Sequence, residues 1–200
     1  AVPTIIVGWL FSIPIIVHEH TLVSGLANKI SSIFADITAL SFSSEKNNSK
    51  TISTGNPLRK EILKVKPVNH KGINILITGG NQGSHIINLA VERSLDKLIK
   101  EAHIIHVTGD NKFKDFERLE NRINENYSVM KWIGPGWGSV LAKTDLVISR
   151  AGINTLSELA YLGIPALVIP IPYLYLDEQN KNAKFFEKLG LVRIIHQSNL

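Results

Sequence analysis

The residues from Ser149 to Pro172 form the pattern with the clearest chemical meaning in this chain. Their sequence, SRAGINTLSELAYLGIPALVIPIP, reads as a strand end, a glycine turn at Gly152, a helix over about 154–162 and a second buried strand over 165–171. Such an order presents free N–H groups of a helix N-terminus beside the carboxyl end of a parallel strand, where phosphorylated ligands bind. Glu158 lies one turn into this helix, where a carboxylate can accept hydrogen bonds from a ribose diol. The pattern therefore predicts a nucleotide or nucleotide-sugar site.

A second glycine turn, Gly79 to Gly83, follows another apolar segment. The sequence INILIT predicts a buried strand over 73–78, and GGNQG then opens a helix to about Ile99. Glycines at this point allow a phosphate or a sugar to approach the backbone closely. The spacing differs from G-x-G-x-x-G, and no acid follows the next strand, so an NAD or FAD site is disfavoured. A sharp turn alone would also explain the glycines, but two such turns on neighbouring strands favour a ligand site.

Several other polar groups have both a structural and a functional interpretation. Glu158 could be a solvated helix carboxylate, the commonest situation for a helical glutamate. The run DEQN at residues 177–180 begins a predicted helix, either as its cap and first turn or as a sugar contact at the edge of the sheet. The segment His18-Glu19-His20 could hold a metal, but two histidines at i and i+2 without a third ligand favour a simple loop edge. No hydrolase triad or carboxylate pair stands out.

The composition is that of an ordinary globular chain. Its 200 residues are 44% hydrophobic and 20% charged, and they include no cysteine, which excludes disulfides and thiol catalysis. Residues 1–58 carry three Lys and three Asp/Glu, so the whole net charge of +5 arises from residues 59–200. The basic residues there are scattered among acidic ones without interleaved aromatics, so a nucleic-acid partner is not expected.

The elements that must position the two turns alternate regularly after residue 73. Strands are predicted at 73–78, 103–109, 127–133, 145–149, 165–171 and 191–196. Helices are predicted up to 99, at 111–125, 139–143, 154–162 and 177–189. The apolar face of the first of these helices comprises Ile86, Ile87, Ala90, Val91, Leu95 and Leu98. Apolar strands alternating with helices predict an α/β fold with a parallel, doubly wound sheet.

Residues 1–58 contain too few predicted strands for an independent sheet. The apolar run AVPTIIVGWLFSIPIIV is interrupted by Pro3, Ser12 and Pro14, which favours a buried helix to about Phe11 and a strand over 13–17 rather than a membrane span. The sequence then predicts a helix over 25–34, a strand over 37–41, a surface loop over 43–51, and a strand, turn and helix start over 52–63. The simplest organisation is the C-terminal part of one α/β domain, 1–58, followed by most of a second, 59–200. The absence of an initial Met predicts a segment of a longer polypeptide.

Four segments of the chain resemble motifs of the MurG-type N-acetylglucosaminyltransferases of glycosyltransferase family 28. They are IPIIVHEHTLVSGLANKI, TGNPLRKEIL, TGGNQGSHIIN, and SRAGINTLSELAYLGIPALVIPIP with the following DEQNKNA. They occur in the family's order and span nearly the whole chain, and the last is the most specific. The resemblance implies a GT-B fold of two Rossmann-like domains, the first present only as its C-terminal part and the second lacking its last helices.

The resemblance also implies an activity. Members of this family move GlcNAc from UDP-GlcNAc onto lipid I, the undecaprenyl-linked muramyl-pentapeptide, and so form lipid II in peptidoglycan synthesis. Inverting transfer of this kind needs a base for the acceptor hydroxyl and positive dipoles for the leaving UDP. Helix N-termini supply those dipoles in folds of this type, so no metal or cofactor is expected. A peripheral position on the cytoplasmic face of the bacterial inner membrane is implied by the lipid acceptor.

The motifs assign roles to particular residues. Glu158 would bind the ribose hydroxyls, Gln179 the GlcNAc hydroxyls, and Ile133 would pack near the uracil. Arg59 and Asn81 would contact the donor near the cleft. The other donor-side residues lie in the two glycine turns and at the helix start that would hold the diphosphate: Gly80, Gln82, Gly83, Arg150, Ala151, Gly152, Ile153, Asn154, Thr155, Leu156 and Ser157.

The chain departs from the family pattern in several places. His18, Glu19 and Thr21 are implied acceptor-side residues, yet Thr21 stands where the family motif usually ends in Asn, and Asn81 replaces a commoner Ser. The family's glycine-rich loop, with the His proposed as catalytic base, has no counterpart, so the base is unknown and expected upstream of Ala1. We therefore expect this segment to bind donor at most, and not to turn over alone.

Two other functions are compatible with these observations. The chain could be a non-catalytic donor-binding subunit that pairs with a separate membrane half, as in some split glycosyltransferases. A UDP-GlcNAc epimerase on the same fold is a further alternative, and it would reveal itself by forming UDP-ManNAc.

Overall fold

The computed structural model describes residues 2–42 and 49–200. The chain divides into two compact units, 1–57 and 58–200, with a boundary one residue before the predicted one. The predicted surface loop over 43–51 falls largely on residues 43–48, which lie outside the described residues.

Unit 1, residues 1–57, contains a small parallel sheet. Its elements in chain order are α1 (Val2–Leu10), β1 (Ile16–Glu19), α2 (Leu26–Phe34), β2 (Ile37–Leu40) and β3 (Thr51–Ser53). The strands pair in the order β1-β2-β3, and both pairs are parallel. A core of Ile15, Val17 and Ala35, with Ile5 against it, holds these elements together.

The beginning of unit 1 corrects two predictions. The helix α1 is present, but none of its described residues is buried, and Trp9 is 55% exposed with its ring edge against Phe34. An apolar run does not show whether other elements cover it, so the prediction of a buried helix is wrong. The first strand begins at Ile16 rather than at residue 13, because the Ile15 N–H donates to the Asp36 carboxylate at 2.8 Å and not to a neighbouring strand. Within the described ranges, no helix is long and apolar enough to cross a membrane.

Unit 2, residues 58–200, contains a larger sheet with helices between its strands. Its elements are β4 (Asn74–Thr78), α3 (His85–Glu101), β5 (His103–Val107), α4 (Asp115–Leu119), β6 (Tyr127–Met130), α5 (Trp137–Leu141), β7 (Leu146–Ser149), α6 (Ile153–Leu162), β8 (Ala166–Val168), α7 (Glu178–Lys188) and β9 (Val192–Ile194). The six strands pair in parallel in the order β6-β5-β4-β7-β8-β9. The predicted parallel sheet with alternating helices is thereby confirmed.

Most elements of unit 2 are shorter than predicted, for local reasons. The predicted strand over 165–171 ends at Val168, since Pro170 and Pro172 have no N–H to donate to a sheet. The helix predicted to start after Pro57 is only a 3₁₀ turn, Ile62–Lys64. The long helix predicted over 111–125 is wrong.

Side chains that bond to the nearby backbone explain the missing helix. Only Asp115–Leu119 is α-helical, followed by a 3₁₀ turn at Glu120–Arg122. The Asn111 side chain accepts from the Phe113 N–H at 2.9 Å, and Asn124 accepts from the Asn126 N–H at 2.8 Å. Asparagine contacts of this kind stabilise turns in competition with a helix.

The face of α3 differs from the predicted one at two positions. Ile87, Val91 and Leu95 are buried as expected, whereas Ile86 is 42% exposed and Asn88 is fully buried. A buried amide is tolerated when its polar atoms find partners, and Asn88 makes several hydrogen bonds.

Candidate functional site

The switch point of the unit 2 sheet lies between β4 and β7. These strands are neighbours, although β5 and β6 separate them along the chain. Ligands of open parallel sheets bind outside the carboxyl ends of the strands at such a point. Two turns occupy it, 79–83 between β4 and α3 and 150–152 between β7 and α6. The N-cap of α6 is Gly152, which has no side chain to cap the N–H groups of the first turn.

The turn at 79–83 is packed tightly against its own protein. Gly83 donates its N–H to the Gly80 carbonyl at 2.9 Å and has a φ of +72°. A Cβ at Gly83 would collide with the carbonyl oxygen of Thr108, the residue after β5. This glycine is therefore required by packing, whatever the turn binds.

Glu158 is held by two side chains from other parts of unit 2. Its carboxylate accepts from Arg59 Nε at 2.7 Å and from Arg59 Nη2 at 2.6 Å, and the indole N–H of Trp137 donates to it at 3.0 Å. The Glu158 side chain is only 6% exposed, while that of Arg59 is 52% exposed. The hydrogen bond with Glu158 raises the pKa of the Arg59 guanidinium. Arg59 also lies over the Trp137 ring, 5.4 Å from its centroid.

A pocket beside this cluster brings together residues from three loops, two strand ends and two helix starts of unit 2. It is lined by Arg59, Thr78, Gly80, Asn81, Val107, Lys131, Trp132, Ile133, Trp137 and Thr155. Five of the predicted donor-side residues therefore share one cavity, namely Arg59, Gly80, Asn81, Ile133 and Thr155. Gln82 and Gly83 belong to the same turn as Gly80, with Gln82 exposed.

The predicted diphosphate-binding segment divides into two kinds of residue. Ala151, Ile153 and Leu156 are buried in unit 2, so only their backbone N–H groups could serve a ligand. Asn154 is exposed, and Gly152, Thr155 and Ser157 are half-buried.

The start of α7 is tied to the loops of the sheet edge. Gln179 Oε1 accepts from the Ile171 N–H at 3.0 Å, which leaves its amide N–H groups for the predicted sugar. Asn182, fully buried, donates to the Ala151 carbonyl at 3.1 Å, while its Oδ1 has no partner in the described structure.

Arg150 is not among the residues that line the pocket. It is 9% exposed and donates to the Ile169 and Pro170 carbonyls at 3.0 and 3.5 Å and to Ser84 Oγ at 2.7 Å. The predicted donor-side residue is therefore a buried bridge between loops.

A buried polar network supports the turn at 79–83 from behind. Asn88 donates to the Thr108 carbonyl at 3.0 Å and to Asp115 at 2.7 Å, and its Oδ1 bonds His106 Nε2 at 3.0 Å. His106 Nδ1 bonds the Tyr127 hydroxyl at 2.9 Å. Burial lowers the pKa of His106 to about 4, although the charge of Asp115 acts in the opposite direction. The imidazole is therefore neutral at pH 7, with its proton on Nε2 to match the acceptor Asn88 Oδ1.

The implied acceptor-side residues belong to unit 1. Glu19, at the end of β1, is 5% exposed and accepts from Thr21 Oγ1 at 2.7 Å, Ser24 Oγ at 2.8 Å and Asn28 Nδ2 at 3.0 Å. Burial raises the pKa of Glu19, but hydrogen bonds from Asn28, Thr21 and Ser24 outweigh it, and the net pKa is lowered. Glu19 and Thr21 thus organise the loop after β1.

His18 makes a different contact, through Nε2 to Ser41 Oγ at 3.0 Å. Among the described residues, no group of three His, Asp or Glu side chains could hold a metal ion.

The sequence did not reveal three residues of this site: Ser84, Trp137 and Asn182. Trp137 lies in the segment GPGWG, whose only signal is a loop, and its partner Glu158 follows 21 residues later. Asn182 lies within the DEQNKNA motif, but nothing in its spacing indicates a contact with the Ala151 carbonyl. These contacts depend on the packing of α5 and α7 against the sheet edge.

Comparison with known proteins places the chain in a family. The sequence profile of the glycosyltransferase family 28 C-terminal domain matches residues 74–200. The UDP-N-acetylglucosamine–N-acetylmuramyl-(pentapeptide) pyrophosphoryl-undecaprenol N-acetylglucosamine transferase of Prochlorococcus marinus (strain MIT 9515) is 32% identical over 207 residues, covering 99% of this chain and 56% of that relative. A transferase of the same name, designated transferase 3, from Bacillus thuringiensis (strain Al Hakam) is 33% identical over 212 residues. The match covers 100% of this chain and 59% of that transferase. The chain thus spans less than two thirds of these curated relatives.

Solved structures show the same fold. The crystal structure of Acinetobacter baumannii MurG has a TM-score of 0.77 and 27% identity, covering 100% of this chain and 58% of that one. A UDP co-structure of S. aureus MnaA has a TM-score of 0.63 at 13% identity, and the match covers 99% of this chain and 59% of that one. At this identity it shows likeness of fold alone. With a family profile that covers 74–200 and a parallel sheet built as in MurG, this chain belongs to glycosyltransferase family 28.

Proposed function

We propose that the whole protein transfers GlcNAc from UDP-GlcNAc to undecaprenyl-linked muramyl-pentapeptide, with inversion, and that unit 2 binds the donor. Family membership and the names of relatives at 32% and 33% identity support this reaction. The transfer would take place at the cytoplasmic face of the membrane, where the lipid acceptor is held. No metal or cofactor takes part in the proposal, because the helix N-termini at the switch point can stabilise the leaving diphosphate.

The observation that carries the donor site is the position of Glu158. A 6% exposed carboxylate lies one turn into α6, whose uncapped N-terminus faces the switch point of the sheet. Burying a carboxylate is costly unless it is paired, and Arg59 and Trp137 supply the pairing. In the proposed complex, Glu158 would accept hydrogen bonds from the ribose while the N-terminus of α6 faces the diphosphate.

The donor would change the partners of Glu158. Both carboxylate oxygens already accept from Arg59, so ribose hydroxyls must share these oxygens or displace the guanidinium. The Arg59 side chain is half-exposed and therefore able to turn towards the diphosphate. We propose this exchange as the first step of donor binding.

Calorimetric titration of the 200-residue chain with UDP, UDP-GlcNAc and GDP tests the donor site directly. We expect binding of both uridine nucleotides and weaker binding of GDP. The Glu158→Gln variant should lose roughly tenfold or more in UDP affinity, because a hydrogen bond to a charged group is replaced by one to a neutral amide. The matched control Asp96→Asn removes an exposed carboxylate of α3 that pairs with Arg122, and should bind like the wild type.

Two outcomes would contradict the proposed site. They are the absence of UDP binding by the folded chain, and a Glu158→Gln variant with unchanged affinity. The transfer itself requires the full-length protein with radiolabelled UDP-GlcNAc and lipid I. Formation of UDP-ManNAc without labelled lipid would indicate an epimerase instead.

A further inference from the structure

Arg150 is a buried cation with no anionic partner within the described ranges 2–42 and 49–200. Only 9% of the residue is exposed, and it forms no ion pair with any described residue. Its hydrogen bonds go to two backbone carbonyls and one hydroxyl, and its Nε atom has no partner in the part of the chain that the structure describes. Because the surroundings are poor in water, burial lowers the pKa of this guanidinium.

Such a group is unfavourable for stability by itself. An apolar side chain of similar volume is often equally or more stabilising than a buried charge. A buried polar atom that lacks a partner in a folded protein calls for an explanation beyond stability. Arg150 is not among the residues that line the pocket beside Glu158, so direct contact with a ligand there is not the explanation.

The partners of Arg150 connect three loops at the same edge of the sheet. Ser84 is the N-cap of α3 and ends the turn that follows β4. Arg150 itself begins the turn that follows β7. The carbonyls of Ile169 and Pro170 come directly after β8, and the chain then leads to Gln179. A single guanidinium therefore bridges the carboxyl ends of three adjacent strands.

The contact with Ser84 also affects the start of α3. A serine at the N-cap usually accepts a hydrogen bond from an N–H group of the first turn. Here Ser84 makes no such capping bond, and its oxygen accepts from Arg150 Nη2 at 2.7 Å instead. A buried positive charge next to the positive end of a helix is repulsive, and an anion bound at this edge would relieve that repulsion.

We propose that Arg150 is a positioning residue that holds the turns at 79–83 and 150–152 in place for an anionic diphosphate, acting through Ser84. The inference rests on the proposed function, since it deepens the donor site described there. Arg150 adds positive charge at this edge without touching the nucleotide, and the bridge to Ser84 sets the spacing between the two turns.

The test compares UDP with uridine, which lacks the diphosphate. In calorimetry with the 200-residue chain, Ser84→Ala and Arg150→Met should each weaken UDP binding about tenfold, as expected for loss of a buried hydrogen bond to a charged group. Uridine binding should stay within about twofold, because neither Ser84 nor Arg150 is assigned to the base or the ribose. The double variant should bind UDP about as weakly as Arg150→Met alone, since both changes remove one contact.

Two further variants control for folding and for charge. Thr144→Ala removes an equally buried hydroxyl, which donates to the Val140 carbonyl at 2.9 Å just before β7, and should leave both affinities unchanged. Arg150→Lys keeps the charge and one donor nitrogen, and should recover part of the UDP affinity that Arg150→Met loses. Thermal unfolding by circular dichroism identifies a variant that does not fold. In that case Ser84→Ala and Arg150→Lys carry the test.

The outcomes separate this inference from the proposed function. Equal losses for UDP and uridine, additive losses in the double variant, or wild-type UDP affinity in the variants would each overturn the positioning role while leaving the donor site intact. A folded wild-type chain that binds neither UDP nor uridine would overturn the proposed function, and the inference with it.

Discussion

The two glycine turns at the switch point look alike in sequence but differ in what their glycines do. At Gly83, φ is +72° and an added Cβ would meet Gly109 Cα at 2.9 Å and collide with the Thr108 carbonyl. At Gly152, φ is −71° and an added Cβ would meet no atom of the described residues within 4 Å. The protein itself requires glycine in the first turn. In the second turn, nothing in the described structure requires glycine, which agrees with the proposed ligand site in front of α6.

The difference shows that a glycine turn after a strand has two separate physical causes. In the first turn, glycine allows two backbones to approach so closely that no side chain fits between them. In the second, glycine leaves the N-terminus of a helix accessible, as a bound phosphate needs. Substitutions that affect stability in one turn and binding in the other would establish this division.

Gly83→Ala should have the largest effect of all on stability. The new methyl group would strike the Thr108 carbonyl, and alanine is strained at a φ of +72°, so we expect a loss above about 3 kcal/mol in the free energy of unfolding. Gly80→Ala is the matched control, because φ there is +84° but no atom lies within 4 Å of the added Cβ. Its loss should be about 1 kcal/mol. Urea unfolding measures both, and equal losses would show that strain, not close packing, explains the first turn.

Acidification should weaken the same turn through the network behind it. Burial lowers the pKa of His106 to about 4, compared with about 6.5 in an unfolded chain. Between these values the unfolded chain binds the proton more readily, so stability is complete above pH 6.5 and falls as the pH drops towards 4. The contribution of His106 to this fall is on the order of 3 kcal/mol.

The His106→Gln variant isolates that contribution. Asp115, His85 and Arg118 face the same network and are present in both proteins, so the difference between the two pH profiles reports His106. Wild type should lose more free energy of unfolding than the variant between pH 7 and pH 4, and profiles of equal slope would contradict a neutral buried imidazole. Urea unfolding at several pH values provides the measurement.

The sequence predicted the sheet well because strands of unit 2 are buried and apolar. Runs such as INILIT and DLVIS are recognisable without knowledge of their neighbours, and the turns after them carry glycines. Helices at the surface were predicted less well. Residues 111–125 have the composition of a helix, but Asn111 and Asn124 bond to the local backbone instead. The exposure of α1 was missed, since a run of apolar residues does not reveal what covers it.

The candidate site was predictable where a motif supplies the residue. Glu158, Gly80 and Thr155 could be located from the glycine turns and the family resemblance, and the structure brings them to one edge of the sheet. The side chains that contact these residues could not be predicted from the sequence. The contacts of Trp137 with Glu158 and of Ser84 with Arg150 join residues 21 and 66 positions apart, and no local pattern encodes such distances.

Gly152→Ala should have the smallest effect on stability and a clear effect on binding. An alanine fits the φ of −71° and meets no protein atom within 4 Å, so the free energy of unfolding should change by less than about 0.5 kcal/mol. A methyl group at the N-cap of α6 would nevertheless occupy the space in which a diphosphate approaches the first-turn N–H groups. We expect UDP affinity to fall about tenfold, as for the loss of one charge-assisted hydrogen bond, while uridine affinity is retained.

Gly163→Ala, at the opposite end of α6 with φ +68° and open space around it, is the matched control, and it should lose some stability without losing UDP affinity. A Gly152→Ala variant that binds UDP normally would remove the difference between the two turns, because neither would then be kept free for a ligand.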